Sequence, residues 1–435
     1  MKKKSFLILN FFIFLSVALS FADENKNTKQ NNSYELNIEE AVELALKNNV
    51  EIERSRIPLQ AAQRAFLKSW NSLSPSISAS ATSNLEQDLL LSASVNFNFS
   101  ANLFSSMKNA KLLLEQNKIT FEQAVKSVEL SVRQAFYTLL YEKENIVLQE
   151  ENLRIAKTQY ESNLEKYNSG RLSEIDAMSA EVNYKSKIPS VQSAQTTYEN
   201  DLDYFKQILG LHIDDEVTLS GSLEDTLFLE DITVDETKYS PYSIKLLENK
   251  IQVAKTSILD KKFTAFSPSI SARLNYSYGT ILFGDELSNP QSKTTTSITA
   301  SIPLDGILPW STKIESIKTA KDTLTDLELQ LDEEKKDFTR LVKSSLRSIS
   351  QSQDSLRYKM ANIELAEKTY SMTKEAYNRG TKDLLTLQNA STTLLNAKVS
   401  LNSEILSFNK EILSLENSLN IDFGELTKNS NILEE

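Results

Sequence analysis

The residues best suited to proton chemistry stand in short runs of adjacent carboxylates, Asp214-Asp215-Glu216 and Asp332-Glu333-Glu334. Two carboxylates in one site could divide the work of general acid and general base if their surroundings pushed their pKa values apart. Neighbouring charges on a connector or a helix are instead solvated faces, and nothing here supplies a nucleophile or a metal cage beside them. The 435 residues include no cysteine and one histidine, His212, just past the Leu209-Gly210 helix end. That inventory assembles neither a zinc site nor a nucleophile-and-base pair. The chain is therefore read as a non-enzyme with no catalytic residue, metal or cofactor, and His212 as a loop residue.

What the composition does specify is export. Met1 to Ala22 has the three parts of a secretory signal: Lys2, Lys3 and Lys4, an apolar run from Phe6 to Leu19, and small residues at Ser20 and Ala22. Residues 1–22 are expected to be removed, leaving 23–35 as an N-terminal extension. No later segment approaches the ~20 apolar residues of a spanning helix, so any membrane crossing must use strands. The formal charge of -11 becomes more negative when the three lysines leave, which argues against a nucleic-acid partner. The absence of cysteine excludes disulfides and a lipid-bearing cysteine anchor.

The chain is one unit written twice. Ser74-Pro75-Ser76-Ile77-Ser78-Ala79 returns as Ser267-Pro268-Ser269-Ile270-Ser271-Ala272, and Tyr167-Asn168-Ser169-Gly170 returns as Tyr377-Asn378-Arg379-Gly380. Between these landmarks Val132, Leu139, Ile146, Leu153, Tyr160 and Tyr167 are matched by Val342, Ile349, Leu356, Ile363, Tyr370 and Tyr377, a ladder moved by 210 positions. The duplication sets a first repeat at 36–210, an acidic connector at 211–240, a second repeat at 241–421 and a tail at 422–435, the tail expected to be disordered. Within the connector, Val217 with Leu219 and Ile232 with Val234 suggest a small irregular sheet, with Leu227-Phe228-Leu229 breaking the alternation.

Four segments alternate with period two. Ile77, Ala79 and Ala81 oppose Ser78, Ser80 and Thr82; Ala93, Val95, Phe97 and Phe99 oppose Ser92, Ser94, Asn96 and Asn98. Ile270, Ala272, Leu274 and Tyr276 oppose Ser271, Arg273, Asn275 and Ser277, while Ile298, Ala300 and Ile302 oppose Ser297, Thr299 and Ser301. Such segments, within about 75–100 and 268–302, are strands with one apolar and one polar face, long enough to cross a bilayer when tilted. Trp70 and Trp310 flank them at strand-to-helix junctions, where a membrane-interface belt would sit. Four strands cannot close a barrel, so the chain must pool them with copies of itself; three copies give twelve.

The helical segments are unusually long. Phe104 to Ser169 and Lys313 to Asn378 contain no proline or glycine, and the returning helices run to about Leu209 and Leu419. Their heptads predict supercoiling against neighbours. Gly170 and Gly380 supply left-handed caps. Two more helices, Ile38 to Leu73 and Pro241 to Phe266, precede the strand pairs, with kinks expected at Pro58 and, in the returning helix, at Pro189.

Leu36-Asn37-Ile38-Glu39-Glu40-Ala41-Val42-Glu43-Leu44-Ala45-Leu46-Lys47-Asn48-Asn49, Ser74-Pro75-Ser76-Ile77-Ser78 and Ile302-Pro303-Leu304-Asp305-Gly306 complete the pattern. At these residues, and in its duplication, almost the whole mature chain resembles the TolC family of outer-membrane efflux and secretion ducts. The resemblance implies a mixed α and β membrane protein: a homotrimer whose twelve-stranded transmembrane β-barrel is continued across the periplasm by a long antiparallel α-helical coiled-coil barrel. It implies a passive exit duct in the outer membrane lipid, joined to a periplasmic adaptor and an inner-membrane transporter, in efflux or type I secretion. The competing reading is a structural coiled-coil envelope protein without transport activity, which leaves the alternating strands unexplained.

Residue by residue, the resemblance implies that Asp176, Tyr377 and Lys382 hold the periplasmic end shut, with lysine where a well-studied member has arginine. An ammonium lacks the guanidinium's two-pronged fork, so the shut state would be held less firmly. The narrowest ring falls at Thr386 and Asn389, both neutral here. The hairpin tips Gly170, Arg171, Leu172, Ser173, Gly380 and Thr381 lie farthest from the strands and are expected to meet the adaptor.

Overall fold

The computed structural model describes residues 33–83, 88–224, 232, 234–281 and 291–426. The signal segment, the Leu227-Phe228-Leu229 run and the end of the tail lie outside them. In chain order the elements are β1 (Ser33–Leu36), α1 (Ile38–Asn48), α2 (Val50–Leu67), β2 (Ser76–Ser83), β3 (Asp88–Ser100), α3 (Asn102–Asn168), α4 (Glu174–Leu209), β4 (Glu216–Leu219), α5 (Tyr242–Phe266), β5 (Ser269–Ile281), β6 (Gln291–Ser301), α6 (Thr312–Asn378) and α7 (Leu384–Leu419).

The duplication is metrically close. Helices α3 and α6 have 67 residues each and α4 and α7 have 36 each, α6 and α7 starting 210 positions after α3 and α4. At about 1.5 Å per residue the first pair spans roughly 100 Å and the returning pair about half that. Each returning helix therefore ends near the middle of the long one, and the core lies there. Val132, Phe136, Leu139, Phe205 and Leu209 join Val342, Ile349, Ile405, Phe408, Leu415 and Leu419, all essentially inaccessible. The rings of Phe136 and Phe205 sit 6.3 Å apart. Beyond that level α2 and α5 replace α4 and α7 as partners of the long helices.

The expected single heptad seam is corrected toward the tip. Val132, Leu139, Val342, Ile349 and Leu356 are buried as the ladder requires, but Tyr167 is exposed, and toward the tip α3 buries Asn152, Ala156 and Asn163 instead.

Three other expectations are corrected. The helix from Ile38 to Leu73 is broken at Asn49, whose side chain accepts from Glu51 N at 2.8 Å and donates to Ile208 O at 2.6 Å; a separate 3-10 turn covers Ser69–Leu73. Asparagine wins over a straight helix because it caps the second segment while bonding the end of α4. The N-terminal extension contributes β1, which pairs in parallel with β4 of the connector, Leu36 against Leu219. The described part of the tail is packed: Leu426 is buried, and the N–H groups of Gly424 and Leu426 donate to Glu416 Oε1 at 2.9 and 3.1 Å. Burial pushes the Glu416 carboxyl above its ordinary range, with those two bonds opposing.

The remaining strands form one antiparallel sheet in the order β2-β3-β5-β6. Its register aligns Ile77, Val95 and Leu274 across three strands, and Phe97, Ala272 and Ile298 likewise, so the alternating apolar residues share one face. On the other face Ser78 and Ser94 lie 2.8 Å apart, Ser269 and Ser301 2.9 Å apart, and Arg273 Nε donates to Asn96 Oδ1 at 2.6 Å. The pairing of β3 with β5 stitches the two repeats together. Among the described residues the sheet leaves an edge free on β2 and another on β6.

The glycine caps differ in what they can tolerate. Gly210 has φ +71° and a Cβ there would lie 2.6 Å from Asn48 O, whereas Gly170 at φ +73° has open space around it. Gly210→Ala is expected to cost about 3 kcal/mol, from left-handed strain plus displacement of α1, and Gly170→Ala about 1 kcal/mol from strain alone. Urea denaturation followed by helical circular dichroism checks this; equal losses at both sites would contradict the close approach at Asn48.

Candidate functional site at the hairpin tips

Both tips are built by the same backbone device. After α3, Gly170 N donates to Tyr167 O and Arg171 N to Lys166 O, both at 2.8 Å; after α6, Gly380 N donates to Tyr377 O and Thr381 N to Ala376 O, both at 2.9 Å. This double bond pattern needs a left-handed residue, and Gly170 and Gly380 both have φ +73°. Arg171 Nε reaches Ser169 Oγ at 3.1 Å and the Thr381 hydroxyl donates to Ala376 O at 2.9 Å, so the turns are tied down although exposed. Leu172 is half-buried.

The next helices start with one hydroxyl–carboxylate pair used in opposite order. Ser173 caps α4, accepting from Asp176 N at 3.2 Å and donating to Asp176 Oδ2 at 2.7 Å. Asp383 caps α7, accepting from Thr386 N at 2.9 Å and from the Thr386 hydroxyl. The two bonds from Thr386 hold the Asp383 carboxyl below the usual range. Thr386 and Asn389 are neutral themselves, but a carboxylate thus adjoins Thr386, a feature the aperture expectation omitted.

Within the chain Tyr377 bonds across the two repeats. Its hydroxyl donates to Asn163 Oδ1 at 2.9 Å and accepts from Gln159 Nε2 at 3.1 Å, both on α3. Burial raises the Tyr377 pKa, and the charge of Asp176 adds to it, so Asp176 is near but is bonded to Ser173 rather than to the tyrosine. Lys382 is exposed and acts electrostatically on Asp383. Asn163 is fully buried. Sequence reasoning passed over it and Gln159 because they lie off the heptad ladder; a polar residue three positions beyond Tyr160 was the available signal.

The other end carries the aromatic pair. Trp70 and Trp310 lie in the turns before β2 and before α6, 57 % and 79 % exposed. Among the described residues no helix is long and apolar enough to cross a membrane, and no group of three or more side chains could hold a metal ion. His212 is exposed beside Asp214. Midway along the helices, burial pushes Glu142 up to about 7, with Asp201 reinforcing the shift and Lys410 opposing it.

Residues 260–419 match the outer membrane efflux protein family. No curated protein sequence matches the chain. Among solved structures, the Campylobacter jejuni CmeC outer membrane channel is similar at TM-score 0.73 and 19 % identity, over 91 % of this chain and 88 % of that one. The open state of the Neisseria gonorrhoeae MtrE outer membrane channel aligns at TM-score 0.72 and 15 % identity, over 88 % and 89 %. The outer membrane protein VceC from Vibrio cholerae aligns at TM-score 0.67 and 15 % identity, over 89 % and 96 %. The TM-scores show a shared fold over nearly the whole chain.

Proposed function

We propose that this chain, whose residues 260–419 carry the outer membrane efflux protein domain, is the outer-membrane exit duct of a tripartite efflux or type I secretion system. One observation carries the reading: a sheet with two free edges, an apolar face and a hydroxyl-rich face stands at the end of helices roughly 100 Å long. Strands with that alternation suit a barrel wall between lipid and water. Edges free on both sides suit closure with copies of the same chain, three of which supply twelve strands. The helices then extend into the periplasm, and cargo passes down a water-filled bore driven by a pump elsewhere.

Docking belongs to the tips. Arg171, Leu172 and Thr381 stand at the far ends of both hairpins, where an adaptor reaching from the inner membrane would meet them. A photo-crosslinking residue at Leu172 or Thr381 is expected to capture a coiled-coil periplasmic adaptor in intact cells, while one on α2 at Arg56 is not. Equal capture at both places, or none at the tips, would sink the assignment.

The aperture belongs to Thr386 and Asn389. Thr386→Asp with Asn389→Asp would bring six new carboxylates together in a trimer, beside the Asp383 caps, and is expected to create strong block by multivalent cations. Single-channel recordings with a trivalent cation check this. The same block affinity in the parent would move the aperture to Asp383.

A further inference from the structure

Roughly three turns above the tips, a cavity of about 110 Å³ lies among all four long and returning helices. Asn152 and Arg154 reach it from α3, Lys187 from α4, Lys374 from α6 and Gln388 from α7. Its chemistry is one-sided. Three cationic side chains line it and no carboxylate does; Glu151 holds Arg154 at 2.6 Å without lining the cavity. Lys187 and Lys374 form no salt bridge with any described residue, although the charge of Lys374 acts on Glu151 and its Nζ lies 5.9 Å from the Tyr370 ring centre.

Two amides in the wall are unsatisfied. Asn152 is 6 % exposed, and its Nδ2 and the Nε2 of Gln388 are both buried without a hydrogen-bond partner. Buried donors without acceptors are rare in folded chains, because each forfeits its water for nothing. Packing alone does not account for the pair: an apolar residue at either position would fill the same helix interface without that loss. An acceptor entering the cavity would satisfy both amides and meet cations from three helices.

We propose that this cavity binds a small oxyanion of phosphate or carboxylate class, held by the Asn152 and Gln388 amides and by Lys187, Lys374 and Arg154. Charge-assisted bonds from ammonium and guanidinium groups are the strong kind, and phosphate offers enough acceptor oxygens for donors converging from different helices. Because the ligand would touch both repeats at once, it would clamp the two hairpins against each other. Water could fill the space, but it carries no charge to meet the lysines.

The test uses the full mature protein in detergent. Inorganic phosphate is expected to raise its thermal midpoint saturably, with chloride at equal ionic strength giving a smaller, unsaturable change; succinate in place of phosphate tells whether carboxylates serve as well. Lys187→Gln with Lys374→Gln is expected to weaken phosphate binding about tenfold or more. Should that variant fail to assemble, Gln388→Met keeps the volume and removes one donor, and is expected to lose most of the shift while being no less stable without ligand. Selenate, an anomalous scatterer, would then mark the cavity in crystals of the parent and not of the variant. An equal phosphate response in parent and variants, a response no greater than chloride's, or anomalous density elsewhere only, would overturn the proposal.

Discussion

The mature protein in detergent is expected to run as a trimer, and in a planar bilayer each trimer is expected to open one ion-conducting pore. The proposed function rests that expectation on the sheet. Its outer strands β2 and β6 have free edges, and an unpaired backbone edge inside hydrocarbon forfeits a hydrogen bond at every second residue. Its apolar face is bare in the single chain: Ile77 is 78 % exposed and Ile298 77 %. Lipid is the natural cover for that face and a second chain for each edge. A lysine on the lipid side should therefore hurt insertion rather than folding of the helices. Ile298→Lys is expected to cost about 2–4 kcal/mol per chain, three times over in a trimer, if the position lies near the midplane. Size-exclusion chromatography with light scattering and single-channel recording check both statements. A monodisperse monomer that conducts nothing would return the structural-spacer reading.

The second large effect is expected at Tyr377. Tyr377→Phe removes the hydroxyl that ties α6 to α3 through Asn163 and Gln159, a bond set worth about 1 kcal/mol where it is half-buried. If the shut state holds these bonds and the open state does not, the open population rises by about fivefold, the limit set by their difference between states. Lys382→Ala separates two accounts of the gate. Within the chain Lys382 bonds nothing that Tyr377 bonds, so an added effect of this change must come from contacts across chain boundaries. Conductance and entry of normally excluded antibiotics are the measurements. No change in Tyr377→Phe, with a large change in Lys382→Ala, would shift the gate wholly to the boundaries between chains.

Much of this was legible in the residues. The strands were, because period two survives every turn of packing: Ile77, Val95, Leu274 and Ile298 face one way because pleating permits nothing else. The hairpin ends were, because only glycine takes a positive φ without strain. The break at Asn49 was not, since asparagine inside an amphipathic stretch looks like any polar surface residue until Ile208 O arrives 159 positions later. The tyrosine's partners were hidden for the same reason, as Asn163 and Gln159 sit on a face that only the neighbouring helix makes important. The packed tail was concealed too, because the buried carboxylate of Glu416 receives two backbone amides from residues eight and ten positions on that look like a loose end.

The matched helix lengths make the protein a pair of rulers that must be cut together. Deleting seven residues from α3 alone would raise one tip by about 10 Å and leave its twin behind. An adaptor of the proposed kind would then face a ragged rim, and the Tyr377 bonds would miss Asn163 by two turns. A matched deletion of seven residues from α3, α4, α6 and α7 would keep the rim level and shorten the reach into the periplasm by the same amount. Insertions and deletions in this architecture should therefore travel in sets of four, and under the proposed function the distance between two membranes, rather than the stability of any one helix, decides which sets persist.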